Sequence, residues 1–100
     1  MAQGPISVAL QKSLFAHFST AQAGVQIKTG AGTLKGVLVG IAGASSSLTL
    51  YDGTSTAGAL ITTISTNGQA NLADLNIQFS TGLFAVLAGS TIPDVTIAYN

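Results

Sequence analysis

The sequence predicts a single all-β domain, an antiparallel β-sandwich, and three observations predict it. Short apolar runs rich in β-branched residues are separated by clusters of Gly, Ser, Thr and Asn. The clearest runs alternate apolar and polar residues, the period of a strand with one face buried. Turn residues recur at the spacing of a sandwich with about seven strands. At 100 residues the chain has the length of one domain.

Taken in order, residues 1–23 read as an N-terminal arm or edge segment and residues 24–100 as the sandwich. Pro5 to Leu10 fits a strand, while Leu10, Leu14 and Phe18, spaced i, i+4, i+8, also fit a helical face. Phe15 and Phe18 place half of the four phenylalanines here. They suit either an edge strand packed on its own domain or an arm that buries apolar side chains on a neighbouring subunit. Strands follow at Val25–Lys28, Thr33–Ile41, Ser47–Tyr51, Ala59–Ser65, Leu72–Phe79, Leu83–Leu87 and, with Val95, Ile97 and Tyr99 alternating with Asp94, Thr96 and Ala98, over the last residues to Asn100. In the fifth of these, Leu75, Ile77 and Phe79 alternate with Asp74, Asn76 and Gln78, which predicts one apolar and one polar face. Between strands, Thr29-Gly30-Ala31-Gly32 supplies two glycines for positive φ. Asp52-Gly53 reads as a tight turn in which the carboxylate bonds local amides. Asn67-Gly68 is the strongest two-residue hairpin signal in the chain. Thr81-Gly82 marks a short reversal, and Pro93 precedes the last strand, where its missing N–H costs nothing.

Composition narrows the function classes. Charged residues make up 6% of the chain, against about 25% in ordinary soluble domains. The charges are Lys12, Lys28, Lys35, Asp52, Asp74 and Asp94, which cancel, and Arg and Glu are absent. Without a basic excess, the counterion release that drives nucleic-acid binding is missing, and so is attachment to anionic lipid. A surface near zero net charge is poorly protected against association and suits a protein covered by neighbours. With no Cys there is no disulfide framework and no thiolate metal site. The chain has no apolar run long enough for a helical membrane span. Ala21-Gln22-Ala23 resembles a signal cleavage site, but no basic segment and uninterrupted apolar core precede it, so the N-terminus is read as mature protein.

The residues supply little for catalysis. His17 is the only histidine, no nucleophile elbow is present, and no carboxylate lies near it in sequence. Three aspartates, spread over the chain, make neither an acid–base pair nor a calcium loop. Thr29 to Lys35 resembles a phosphate loop but lacks the Gly-Lys-Ser/Thr ending and a following helix, so it reads as a β-turn. Tyr51, Tyr99, Phe79 and Phe84 sit in strand patterns where core packing is expected. No catalytic residue, metal ligand or cofactor is assigned, and the chain is expected not to be an enzyme.

One resemblance is specific. Val25-Gln26-Ile27-Lys28-Thr29-Gly30-Ala31-Gly32-Thr33-Leu34-Lys35-Gly36-Val37 is followed by a second run from Ala42 to Ser55, which contains Leu50-Tyr51-Asp52-Gly53-Thr54-Ser55. Phe79-Ser80-Thr81-Gly82-Leu83 and Asp94-Val95-Thr96-Ile97-Ala98-Tyr99 complete the series. Over residues 24–100 this series resembles small virion proteins of tailed bacteriophages, especially head-decoration (cement) proteins with a jelly-roll sandwich. The resemblance implies a structural protein on the outer capsid surface, bound to the major capsid protein at capsomer junctions and to itself as a homotrimer. It implies no catalytic residues. The fold expectation becomes a jelly-roll-like sandwich, with an immunoglobulin-like sandwich as the alternative because strand order is not readable from one sequence. A tail, neck or fibre-associated module and a glycan- or host-surface-binding module are the functional alternatives. The candidate assembly contacts are Phe15 and Phe18 in the arm and Asp74, Asn76 and Gln78 on the polar face.

Overall fold

A computed structural model describes residues 14–100. Nine strands follow in chain order: β1 (Leu14–Phe18), β2 (Gln22–Thr29), β3 (Gly32–Ile41), β4 (Ser47–Asp52), β5 (Ala59–Ser65), β6 (Ala70–Leu72), β7 (Ile77–Phe79), β8 (Gly82–Ala88) and β9 (Asp94–Tyr99). They form two antiparallel sheets. Sheet A runs β1-β9-β3-β6, with β7 also on β3, and sheet B runs β2-β8-β4-β5.

The pairing has a simple logic. β4 pairs with β5, β3 with β6 and β7, β2 with β8, and β1 with β9. The chain is therefore one long hairpin with its tip between Asp52 and Ala59. That hairpin is rolled up so that β9 also pairs β3 and β8 also pairs β4. With β6 and β7 counted as one interrupted strand, this is the eight-strand jelly roll. An immunoglobulin-like order would put several pairs of consecutive strands side by side in one sheet. Here only β4 and β5 are consecutive neighbours in a sheet.

The core lies between the two inner faces. Leu34, Val37, Val39, Val95 and Ile97 come from sheet A, Leu48, Leu50, Leu83, Ala85 and Leu87 from sheet B, and Phe79 closes one end. The alternation within β4, β8 and β9 is the two-residue strand period made visible. Each fully buried Leu, Val, Ile or Phe side chain contributes on the order of 1.5–3 kcal/mol through removal from water.

Several sequence expectations change. Leu14–Phe18 is a strand paired with β9, so Leu14 and Phe18 do not lie on a helix. Pro5–Leu10 lies outside the described residues, and residue 23 falls within β2. The expected strand Leu72–Phe79 is broken. Asp74 and Asn76 have φ of 57° and 51°, a left-handed backbone that Asp and Asn tolerate better than most residues. Burial still alternates through Leu75, Ile77 and Phe79, but Asp74, Asn76 and Gln78 do not share one regular strand face. Asn67-Gly68 is not a hairpin. It carries the chain from β5 in sheet B to β6 in sheet A, and neither residue has positive φ. Of the glycines at 30 and 32, only Gly30 has positive φ, at 93°. Gly32 is required for another reason: a Cβ there would lie 2.7 Å from the Phe79 ring and closer still to the Asn100 carbonyl. Tyr51 and Phe84 pair across β4 and β8 on the face opposite Leu50 and Ala85, so they lie outside the core. Their rings pack at 6.4 Å with a 57° tilt.

Candidate interaction surface

The outer face of sheet A is built from residues that alternate with the core. One cross-strand row runs Phe15–Ala98–Gly36, and the next runs His17–Thr96–Leu38–Asn71. Phe15 is 72% exposed and Leu38 46%, and Ile41 at the end of β3 is 65% exposed. Gly36 has no room for a side chain, because its Cβ would lie 2.7 Å from the Leu72 carbonyl oxygen. The missing side chain leaves an open, mostly apolar groove of about 300 Å³, lined by Gly36, Leu38, Asn71, Asp74, Thr96 and Ala98. At the other end of the face, His17 Nε2 lies 2.8 Å from Asp94 Oδ1. That pair joins β1 to β9 diagonally. Among the described residues, no three His, Asp or Glu side chains gather as metal ligands.

The sequence-predicted contacts are scattered around this surface. Phe15 lies in its outer row on β1. Phe18, three residues on, points to the opposite side and packs half-buried against the core. Asp74 lines the groove at the far edge, while Asn76 and Gln78 are exposed beyond it. Phe15 and Asp74 are therefore not brought together, since β9 and β3 lie between their strands. Leu38, Thr96 and Ala98 were not singled out from the sequence. The available signal was Val37-Leu38-Val39, apolar on both faces of a strand whose sheet has only one face to bury.

The ends of the sandwich are closed by two hydrogen-bonded corners. At one, the Asp52 carboxylate accepts from the amides of Ser80 (2.9 Å), Thr81 (2.8 Å) and Gly82 (3.3 Å) and from the Ser80 hydroxyl (3.2 Å). These partners lie 28–30 residues away, not in the local turn expected for Asp52. The Ser80 amide, then the Thr81 amide, hold its pKa below the ordinary 3.8 against an opposing desolvation, with Gly82 and the Ser80 hydroxyl adding to the lowering. Nearby, Gln26 Nε2 reaches the carbonyls of Lys28, Gly53 and Leu83 at 2.7–3.2 Å. The corner thus joins Leu-Tyr-Asp-Gly to Phe-Ser-Thr-Gly, two of the segments that carry the resemblance. At the opposite end, Thr66 Oγ1 donates to Ser46 Oγ at 2.6 Å, and Ser46 donates through N and Oγ to Asn67 Oδ1.

Comparison with protein-family models gives no match, and comparisons with curated proteins and with solved structures give none either. What the surface offers chemically is mostly apolar area, with Lys35 and Asp74 on the groove and the His17–Asp94 pair at the other end.

Proposed function

We propose that this chain is a structural virion protein, a decoration protein that seats on the head of a tailed bacteriophage at capsomer junctions. The jelly roll alone does not carry this reading, because one fold serves many functions. The observation that carries it is the exposed apolar outer face of sheet A, with Phe15, Leu38, Ile41 and Ala98 beside an open groove, on a chain with only six charges. Water covers such a face poorly and a protein shell covers it well. The partner is the major capsid protein, and burial of apolar surface at roughly 25 cal/mol/Å² drives binding against the cost of association. Repetition over a symmetric shell adds avidity without stronger individual contacts. Catalysis and cofactor binding have no part in this reading.

The test is co-sedimentation of the full-length protein with phage heads that lack it. Wild type is expected to sediment with heads and to stay bound between low and high salt, since few charges are available for screening. Leu38→Lys, on the groove, is expected to abolish sedimentation, while Leu60→Lys, at a more exposed position on sheet B, is expected to leave it intact. Failure of wild type to bind heads, or collapse of binding at moderate salt, overturns the proposal. A copy number per particle matching tail or neck parts rather than capsomer junctions would assign the alternative position.

A further inference from the structure

Asn67-Gly68 has hairpin chemistry without a hairpin, and it stands on the crossover from β5 to β6. An asparagine followed by glycine is also a reactive pair. The glycine nitrogen, unshielded by a Cβ, can attack the asparagine Cγ and close a cyclic imide. Asn71 and Asn76 are not set up in this way, because they precede the bulky Leu72 and Ile77 in strands β6 and β7.

The fold leaves the participants at Asn67 available. Both residues are exposed, and nothing lies within 4 Å of where a Gly68 Cβ would stand. Among the described residues, the Gly68 N–H has no hydrogen-bond acceptor, and Asn67 Nδ2, the group that would leave, has no partner. Asn67 Oδ1 accepts from Ser46 N at 2.8 Å and from Ser46 Oγ at 3.2 Å. That oxygen gains negative charge when Cγ is attacked, so both donors favour the adduct.

Asp52-Gly53, the one Asp-Gly pair, has the same spacing with its participants engaged. Gly53 is buried, and its N–H donates to the Gly82 carbonyl at 3.0 Å. The Asp52 carboxylate is tied to the amides of Ser80, Thr81 and Gly82. Ionised, it is a poor electrophile.

We infer that Asn67 is a self-modification site, which the folded protein converts to aspartate and isoaspartate while Asp52-Gly53 is protected. The Gly68 nitrogen bonds to Cγ, the Cγ–Nδ2 bond breaks, and Nδ2 departs as ammonia with the Gly68 amide proton. Water then opens the imide. Breaking the new N–Cγ bond leaves aspartate, whereas breaking the original bond to the Asn67 carbonyl carbon leaves isoaspartate, with the chain running through Cβ. In either case the hydroxyl of water completes a carboxyl group and Gly68 N regains its proton.

The two products act differently on the corner. Aspartate still offers an oxygen to Ser46 N and Oγ, now through charge-assisted bonds. Isoaspartate adds a methylene to the backbone next to Thr66, which is fully buried and tied to Ser46 through both its hydroxyl and its amide. Isoaspartate therefore loosens the corner. The inference does not depend on head binding.

The test incubates the full-length protein in neutral buffer, folded in one sample and in denaturant in another, and maps the peptides by mass spectrometry. In the folded sample, conversion is expected at Asn67 and not at Asp52. In denaturant, Asp52 is expected to isomerise as well, more slowly than Asn67 reacts. Gly68→Ala, at a position with room for a methyl group, is expected to slow conversion of Asn67 several-fold without changing Tm. The isoaspartate fraction, separated from the aspartate fraction by ion exchange, should melt below Asn67→Asp, which reproduces the aspartate product. An Asn67 that stays intact in the folded protein overturns the inference. So does an Asp52 that isomerises as fast folded as in denaturant, a Gly68→Ala variant that reacts at the wild-type rate, or an isoaspartate fraction as stable as Asn67→Asp.

Discussion

The two ends of the sandwich solve one problem with different chemistry. At both, the chain crosses between sheets, and backbone groups that leave the strand ladders need partners. The Asp52 corner satisfies three consecutive amides with one accessible carboxylate. The Ser46 corner uses neutral groups, with Thr66 fully buried and Ser46 nearly so. A charge can serve at the first end because water still reaches it. At the second, an unpaired charge would be costly to bury, and hydroxyls suffice. The lesson is that the same closure titrates at one end and is indifferent to pH at the other.

The largest effects are expected where both corners depend on absent side chains. A Cβ on Gly32 would strike the Asn100 carbonyl and the Phe79 ring, and one on Gly43 would strike Ser46 Oγ and the Thr91 carbonyl, 2.9 Å from the Pro93 ring. Gly32→Ala and Gly43→Ala should each cost about 3 kcal/mol in denaturant unfolding, the upper end for overpacking, because backbone must move. Gly68→Ala, with nothing within 4 Å and no positive φ, should stay within about 0.5 kcal/mol of wild type. Equal behaviour of all three glycines would break the claim that the corners are tightly packed.

A smaller loss should follow from Thr66→Val, which removes the buried hydroxyl from Ser46 and should cost roughly 1–3 kcal/mol. That loss should not vary with pH. Asp52→Asn should lower Tm at neutral pH, and this difference should shrink on acidification. The folded state holds the Asp52 pKa below 3.8, so its stabilisation is complete above that value and is lost as pH falls through the folded pKa. A Tm difference for Asp52→Asn that is flat with pH, or one for Thr66→Val that is not, would erase the contrast between the two ends.

The edges of sheet A show a second contrast. The β6–β7 edge carries two left-handed residues, while β1 keeps an unbroken register against β9, contains no Lys, Asp, Pro or Gly, and has no second strand neighbour among the described residues.

Much of the fold was legible in the residues themselves. Alternation at Leu48–Leu50, Leu83–Ala85–Leu87 and Val95–Ile97 identifies strands and their inner faces, because a two-residue period leaves no other way to gather apolar side chains. The errors came where a local signal had a distant partner. Asn67-Gly68 has hairpin chemistry, yet β6 is drawn to β3 in the other sheet. Asp52 has turn chemistry, yet its amides come from Ser80, Thr81 and Gly82.

Sequence alone determined the strand period, the core side of most strands and the scarcity of charge, since each is a property of neighbouring residues or of composition. Tertiary structure decided which strands pair and that Leu38, Thr96 and Ala98 form one outer face. Those outcomes depend on how the long hairpin rolls, and rolling brings together residues tens of positions apart whose local patterns carry no record of one another.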